Sequence, residues 1–283
     1  MRVGLQMYSV RTEMALDPVS TVKAVTAMGY RYLEWANLTA DVEFGVGFGV
    51  DADELREVLQ HAGAESLGVH AWPLTLDNVD SLISYHQRLG TTYIVSKMIP
   101  DRGETLQTMA ITLSRVGEAI RGAGMQHLLH TSLMRREGER TDLDEILDRV
   151  DEELVNVELD IYWAYRSGLD PVRILQRYGD RIRVLHQKDA PATMAQPRDI
   201  VGALEPSVPL TLDVYWDSRY VAPENFVEVG TGILPVRDYV DAALKNPDCG
   251  HLLVEQDFTV LSELESVRIS MRNLREIPGL DWS

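Results

Sequence analysis

The sequence has almost no cysteine and no long apolar run. Cys249 is the single cysteine among 283 residues, so an intramolecular disulfide and a cysteine-rich metal site are both excluded. Nowhere do about 18 consecutive apolar residues occur, the minimum for a membrane-spanning helix. The N-terminal residues also lack the apolar run of a secretory signal. These absences predict a cytoplasmic protein that has no membrane partner.

Basic residues are scarce as well. Lysine and arginine together number 27 against 44 aspartate and glutamate residues, which gives a formal charge of −17 at pH 7. A surface of this sign repels phosphate backbones and anionic lipid headgroups. We therefore expect neither nucleic acid nor a membrane surface as a partner.

The chain does contain a regular alternation of short apolar runs and longer amphipathic stretches. Gly29, Gly63, Gly90 and Gly124 each follow a helical stretch, where a left-handed C-cap favours glycine. The predicted strands cover residues 3–8, 32–35, 65–70, 92–97, 126–130, 155–163, 182–186 and 251–255. Eight strand–helix units in a chain of this length predict an α/β fold, a (β/α)8 TIM barrel that forms a single domain over residues 1–283. An open, doubly wound sheet is the alternative.

A long loop is predicted between the seventh and eighth strands, at about residues 190–232. It is too long for a simple strand–helix connection, and loops of this size usually have a function or belong to an interface. Its aromatic segment, residues 215–220, could contact a partner subunit, and a homo-oligomer is also possible. Residues 209–215 are compatible with an additional strand.

Three predicted strands end in polar residues that packing does not explain. Asp160 ends the sixth strand, His186 the seventh and Glu255 the eighth. In a TIM barrel the C-terminal ends of the strands meet at the active-site mouth. Each residue alone is more often a helix cap or a core residue, but together they predict a divalent metal site. Carboxylate and imidazole ligands suit Mn²⁺, Mg²⁺, Co²⁺, Fe²⁺ or Zn²⁺.

Further polar and aromatic residues are predicted at the same mouth. Aromatic faces stack on sugar C–H surfaces and charged groups bond hydroxyls, so the set fits a small sugar or polyol. Each member could instead serve only the structure of the rim. Lys188 could bond a substrate oxygen or pair with Asp189 or another acidic neighbour. The predicted substrate-binding residues are Tyr8, Glu34, His70, Trp72, Lys97 and Trp163.

Several segments resemble the xylose-isomerase-like superfamily of sugar isomerases and epimerases. They occur in the same order from the first strand to the last, so the resemblance covers essentially the whole chain. The segments are Leu5-Gln6-Met7-Tyr8-Ser9-Val10-Arg11, Gly29-Tyr30 leading to Glu34, Leu159-Asp160-Ile161-Tyr162-Trp163, Leu185-His186-Gln187-Lys188-Asp189, Glu228-Val229-Gly230-Thr231-Gly232 and Val254-Glu255-Gln256-Asp257-Phe258-Thr259.

The resemblance implies a barrel with one divalent cation, often manganese. In that superfamily the ligands are typically a glutamate on strand five, an aspartate on strand six, a histidine on strand seven and a glutamate on strand eight. The last three correspond to Asp160, His186 and Glu255. Strand five departs from the pattern, because it ends in His130. The fourth ligand is therefore His130, which we favour, or Glu137 or Glu139 from the following loop, or water.

This departure affects the predicted reaction. Epimerases of the superfamily use the carboxylates of strands five and eight as an acid–base pair, whereas related keto-inositol dehydratases and lyases of 3-keto-glycosides eliminate a group. We expect a metal-dependent isomerase or epimerase of a small ketose or keto-sugar, with Glu255, His130 and Lys188 as catalytic residues. A lyase is the alternative, and a partner-dependent or non-catalytic subunit is a remote one. A DNA-repair nuclease on this barrel is disfavoured by the acidic charge and by a content of only seven histidines.

Overall fold

Eight parallel strands close into a barrel in a computed structural model that describes residues 1–100 and 103–282. Each strand pairs with its neighbours along the chain, and the first pairs with the last, with Leu5 opposite Val254. The strands are β1 (Arg2–Gln6), β2 (Tyr32–Asn37), β3 (Glu65–Ala71), β4 (Tyr93–Lys97), β5 (Gln126–His130), β6 (Asn156–Asp160), β7 (Ile182–Gln187) and β8 (His251–Val254). The predicted TIM barrel is confirmed.

Helices surround the barrel and follow the strands. They are α1 (Arg11–Leu16), α2 (Pro18–Met28), α3 (Ala52–Ala62), α4 (Val79–Leu89), α5 (Leu106–Gly122), α6 (Asp142–Leu147), α7 (Ile161–Arg166), α8 (Pro171–Arg177), α9 (Leu212–Tyr215), α10 (Val236–Ala243) and α11 (Glu263–Leu274). Asp17 caps α2 by accepting from Ser20 N, and Gly29 ends that helix at φ 118°. Within the described residues, no helix is both long and apolar enough to cross a membrane.

Two strand ends and one loop differ from the sequence-based expectations. β1 ends at Gln6 because residues Met7–Val10 form a 3-10 turn, which leaves Tyr8 beyond the strand. β6 ends at Asp160 rather than at residue 163, since the Asp160 carboxylate caps α7 by accepting from Trp163 N at 2.8 Å. Residues 209–215 contain a single helical turn instead of a strand.

The barrel interior has an apolar layer below its polar mouth. This layer is one cluster of buried side chains: Tyr32, Leu67, Tyr93, Val95, Leu128, Val184 and Leu253. Side chains two positions apart on a strand point to the same face. Leu128, Val184 and Leu253 therefore lie directly beneath the residues that end or follow β5, β7 and β8. The apolar layer forms the floor of the candidate site.

Asp189 ties together the two ends of the long loop between β7 and α10. Its buried carboxylate accepts from Ala190 N at 2.8 Å and from Leu234 N at 3.1 Å through one oxygen. The other oxygen accepts from Gly230 N and Gly232 N, both at 3.0 Å. A Cβ at Gly232 would lie 2.2 Å from an Asp189 oxygen, which explains the glycine. The base of the loop is thus closed by one side chain.

Arg166 anchors a second point of the same loop. Its fully buried guanidinium donates to the backbone oxygens of Arg198 at 3.0 Å and Pro197 at 3.3 Å, and to the Tyr162 hydroxyl at 2.8 Å. It also lies 5.8 Å from the centre of the Tyr220 ring. Since Arg166 is on α7, these contacts hold the loop against the helix that begins at Asp160.

A chain of hydrogen bonds holds His86 in its neutral form. Trp35 Nε1 donates to Ser66 Oγ at 2.7 Å, and Ser66 and Thr91 share a bond of 2.7 Å. Because His86 Nε2 faces a carbonyl, which can only accept, the neutral ring accepts at Nδ1 from Thr91 at 2.9 Å. This uses the one proton of the Thr91 hydroxyl, so Ser66 donates to Thr91. His86 Nε2 then donates to the carbonyl of Gly45 at 3.2 Å. Burial lowers the pKa of His86 to about 4.

We expect His86 to make the fold sensitive to acid. Between pH of about 6.5 and about 4 the unfolded chain binds a proton at this position and the folded chain does not, so stability falls as the pH falls, by about 3 kcal/mol over the whole window. Urea unfolding of wild type and His86→Gln checks this. The loss of stability from pH 7 to pH 5 should be about 2 kcal/mol smaller in the variant. His61→Gln, at an exposed histidine, is the control.

Candidate functional site

Four polar side chains meet at the C-terminal ends of β5 to β8. His130, Asp160, His186 and Glu255 are all buried, and one ligand atom of each lies within 4.8 Å of the others. His186 Nδ1 is 2.7 Å from Glu255 Oε2, and His130 Nε2 is 3.4 Å from Asp160 Oδ2. The structure therefore brings together the three strand-end residues selected from the sequence and the favoured fourth one.

The donor set of this cluster fits a divalent cation. Two carboxylates and two imidazoles suit Zn²⁺, Mn²⁺ or Fe²⁺. Among the described residues His130 Nε2 is buried and has no hydrogen-bond partner, so this imidazole is available to a cation. A second, deeper group of His70, His130, Glu158 and His186 also has its ligand atoms within 4.8 Å of one another.

Glu34 fixes the orientation and the tautomer of His186. His186 Nε2 donates to Glu34 Oε1 at 2.9 Å. Glu34 in turn accepts from Gln6 Nε2 at 2.9 Å and from the Tyr93 hydroxyl at 2.8 Å. His186 Nδ1 lies 2.7 Å from Glu255 Oε2 and also donates. Burial alone would lower the pKa of His186, but Glu158, Glu255 and Glu34 raise it well above its usual value, so a cation bound at Nδ1 would replace that proton. Glu34 is fully buried and contacts protein groups, so we assign it to the support of His186 rather than to the predicted contact with substrate.

Replacing Glu34 with glutamine is expected to weaken binding of Mn²⁺ or Zn²⁺ by about 10- to 100-fold, because the amide no longer stabilises the proton on His186 Nε2. Titration calorimetry measures the affinity. Glu65→Gln, at the exposed start of β3, is the matched control. Equal affinity in Glu34→Gln and wild type would contradict the assigned role.

His70 and Glu158 form a buried pair beneath the cluster. His70 Nε2 lies 2.6 Å from Glu158 Oε2 and 3.1 Å from Glu34 Oε1. Burial alone would lower the pKa of His70, but the two carboxylates raise it to about 9. Sequence reasoning missed Glu158. The available signal was its position two residues before Asp160, which places both carboxylates on the same face of β6.

Lys188 joins the carboxylates of the cluster. Its fully buried ammonium donates to Asp160 Oδ2 and Glu255 Oε2, and it lies 3.4 Å from Asp257 Oδ1. Burial would lower the pKa of Lys188, but the three carboxylates raise it well above its usual value. Asp257 is a site residue that the sequence did not single out. Burial raises the pKa of Asp257 to about 7 in spite of Lys188.

A cavity lies above the cluster. Of the predicted substrate-binding residues, Tyr8, His70 and Lys97 line it, together with Tyr215 and Trp216 from the long loop. The other two aromatic candidates lie one layer behind the wall. The Trp163 ring packs 4.5 Å from the Tyr215 ring, and the Trp72 ring lies 5.4 Å from Lys97 Nζ.

Glu137 and Glu139, the two loop residues considered as a fourth ligand, do not belong to the cluster. Glu137 is exposed on a two-residue strand, Arg136–Glu137, that pairs antiparallel with Arg140–Thr141. Glu139 is exposed at the turn of the same hairpin. Neither belongs to a group of described residues whose atoms could share one ion. This placement favours His130 as the fourth ligand.

Fold and site together define a class: an α/β barrel with a carboxylate–imidazole cluster at its C-terminal mouth, above an apolar floor. The chain belongs to the xylose isomerase-like TIM barrel family, whose sequence profile matches residues 22–277.

Similar proteins include both isomerases and dehydratases by name. Inosose dehydratase of Lacticaseibacillus casei is 31% identical over 83 residues, a stretch that spans 29% of this chain and only 28% of that protein. A sugar phosphate isomerase/epimerase from Parabacteroides distasonis superposes with a TM-score of 0.72 at 21% identity, over 98% of this chain and 94% of that one. The IolI protein with a zinc atom gives 0.70 at 14% identity, over 98% and 97%. At these identities the structural likeness shows the fold.

Proposed function

We propose that this protein is a divalent-metal-dependent isomerase or epimerase of a small ketose or keto-sugar. The main support is the convergence of His130, Asp160, His186 and Glu255 within 4.8 Å at the barrel mouth. An ion bound there, with Mn²⁺ as our first choice, would polarise the substrate carbonyl and make the neighbouring C–H bond acidic. The IolI protein, a structural relative, binds a zinc atom, which is consistent with a metal-dependent barrel.

Glu255 is the proposed base. It lines the cavity, and it follows β8 with its side chain among the cluster. Burial alone would raise the pKa of Glu255, but Lys188 and His186 hold it well below its usual value. Glu255 is nevertheless the carboxylate of the cluster that lines the cavity, and this position supports its role in removing the proton from the carbon next to a substrate carbonyl.

Polar and aromatic groups of the cavity wall are proposed to hold the polyol. The Tyr8 ring and the Tyr215 ring offer flat apolar faces and hydroxyl groups on the same side of the cavity as Asp257. Burial raises the pKa of Tyr8 to about 12, so its hydroxyl stays protonated and can donate to a substrate oxygen. The expected partner is thus a small sugar or polyol.

A lyase is the second candidate. The similarity to inosose dehydratase favours it, and so does β5, which ends in His130 where an epimerase of the superfamily would have glutamate. In this reaction Glu255 would remove the same α-proton, and a hydroxyl or a larger group would leave from the next carbon.

Proton exchange separates the two candidates. The purified protein is incubated with Mn²⁺ and a panel of keto-sugars in D₂O and followed by NMR. Deuterium next to the carbonyl with no group lost supports the isomerase or epimerase, and an unsaturated product supports the lyase. Metal analysis of wild type beside His130→Ala and His186→Ala tests the site itself. Full metal content in both variants would show that the ion is held elsewhere.

A further inference from the structure

Lys97 and Glu255 stand on opposite walls of one cavity. Lys97 ends β4 and Glu255 follows β8, and these strands are four apart in a closed ring of eight. Both side chains line the cavity above the cluster. A small molecule held between them has the carboxylate on one face and the ammonium group on the other.

Within residues 1–100 and 103–282, no acidic side chain pairs with the ammonium group of Lys97. No carboxylate oxygen of the described residues lies within 4.0 Å of its Nζ, and the centre of the Trp72 ring lies 5.4 Å from it. Lys188, the other lysine of the site, is fully engaged by three carboxylates. The remaining two lysines of the sequence, Lys23 and Lys245, are exposed. Lys97 is therefore a largely buried cation that borders this cavity and a second one beside Trp72, with no acidic partner among the described residues.

Lys97 also lies next to the end of β5, where the resemblance implies a glutamate and this chain has His130. It is paired in register with His130, which ends the adjacent strand β5. His130 is turned toward Asp160, at 3.4 Å, and into the metal-ligating group. Among the ionisable groups that line the cavity, Lys97 is thus the one placed beside strand five and across from Glu255.

We propose that Lys97 is the second proton-transfer residue, acting on the substrate face opposite Glu255. This inference rests on the proposed function. In the reaction Glu255 takes the proton from the carbon next to the carbonyl, and the C–H electron pair moves into an enediolate. The Lys97 ammonium then donates a proton to the other face of that carbon, which inverts it. Glu255 ends as the acid and Lys97 as the neutral amine, and exchange with water restores both.

The surroundings of Lys97 suit both protonation states. Burial lowers the pKa of Lys97, whereas the charges of Glu255 and Asp257 act in the opposite direction. An amine with a lowered pKa gives up its proton more readily than an exposed lysine does. This agrees with the role that the geometry gives it.

Lys97→Met tests the proposal, because methionine keeps much of the side-chain volume and cannot transfer a proton. Wild type and variant are incubated with Mn²⁺ in D₂O, using a keto-sugar that wild type converts, and both deuterium uptake and the inverted epimer are followed by NMR. We expect Lys97→Met to keep deuterium exchange on the Glu255 face and to form the epimer about 10²- to 10⁴-fold more slowly. The Mn²⁺ affinity of Lys97→Met should equal that of wild type. The control Lys23→Met should match wild type both in Mn²⁺ affinity and in the rate of epimer formation.

The possible failures can be told apart. Formation of the epimer by Lys97→Met at the wild-type rate overturns the role of Lys97 and leaves the proposed function intact. Deuterium exchange by wild type without any epimer also overturns it, since one face alone is then used. If wild type with bound Mn²⁺ exchanges no proton in any keto-sugar, the proposed function fails, and the Lys97 proposal with it. A substrate adduct on Lys97 after borohydride reduction would replace proton transfer by an imine mechanism.

Discussion

Glu255→Gln is expected to lower the rate of α-proton exchange by about 10²- to 10⁴-fold, the usual contribution of a positioned acid or base. The amide has nearly the shape of the carboxylate but cannot accept the proton. Glutamine also removes one anionic ligand and one partner of Lys188, so Mn²⁺ affinity should fall as well.

The two effects are separated by measuring exchange at saturating Mn²⁺, with the metal content determined on the same samples. Glu265→Gln is the matched control, because Glu265 is exposed on α11 and contacts Arg268 there. A Glu255→Gln protein with wild-type exchange would remove Glu255 from the chemistry. A protein that recovers full exchange only at high Mn²⁺ would limit Glu255 to metal binding.

Asp189→Ala should destabilise the protein by roughly 3 kcal/mol, because buried N–H groups lose their acceptor and each costs about 1–3 kcal/mol when it finds no other. Four backbone N–H groups bond this carboxylate, and water admitted by the mutation would satisfy some of them. The loop should also open at its base, which moves Tyr215 and Trp216 away from the cavity they line.

Urea unfolding gives the stability, and limited proteolysis within residues 190–232 reports the opening of the loop. Asp199→Asn is a suitable control, since Asp199 lies in the same loop but is exposed and caps only Gly202 N, at 2.7 Å. Similar cleavage of Asp189→Ala and Asp199→Asn would mean that the carboxylate of Asp189 does not hold the loop ends together.

The barrel and the upper part of the candidate site could be predicted from the sequence. Asp160, His186 and Glu255 each follow a short apolar run, and the geometry of a parallel barrel brings such strand ends to one mouth. His130 was selected from the resemblance, as the residue that ends the fifth strand where the superfamily typically has glutamate. Local patterns were sufficient here because every residue is placed by its own strand.

The contacts in the lower part of the site could not be predicted from local sequence patterns. The contact of Glu34 with His186 joins residues 152 apart in sequence, and that of His70 with Glu158 joins residues 88 apart. Whether such side chains meet depends on the register between strands, including the shift between Val157 and Glu158 against β7. The alternation of apolar and polar residues predicts which face of a strand a side chain lies on. It does not predict which residues of two strands lie at the same level along the barrel axis.

The closed base of the long loop has a consequence for how this barrel can change. Asp189 holds its partners at residues 230–234 whatever lies between them, and loop-closure entropy rises only slowly with loop length. Within the intervening segment, however, Ile200, Tyr220 and Phe226 are buried in the core, and Arg166 bonds the backbone of residues 197 and 198. Changes of length are therefore tolerated best between residues 202 and 219, the stretch that supplies Tyr215 and Trp216 to the cavity wall. If the proposed function holds, segments of different length grafted into this stretch should alter the substrate preference while the carboxylate–imidazole cluster stays in place.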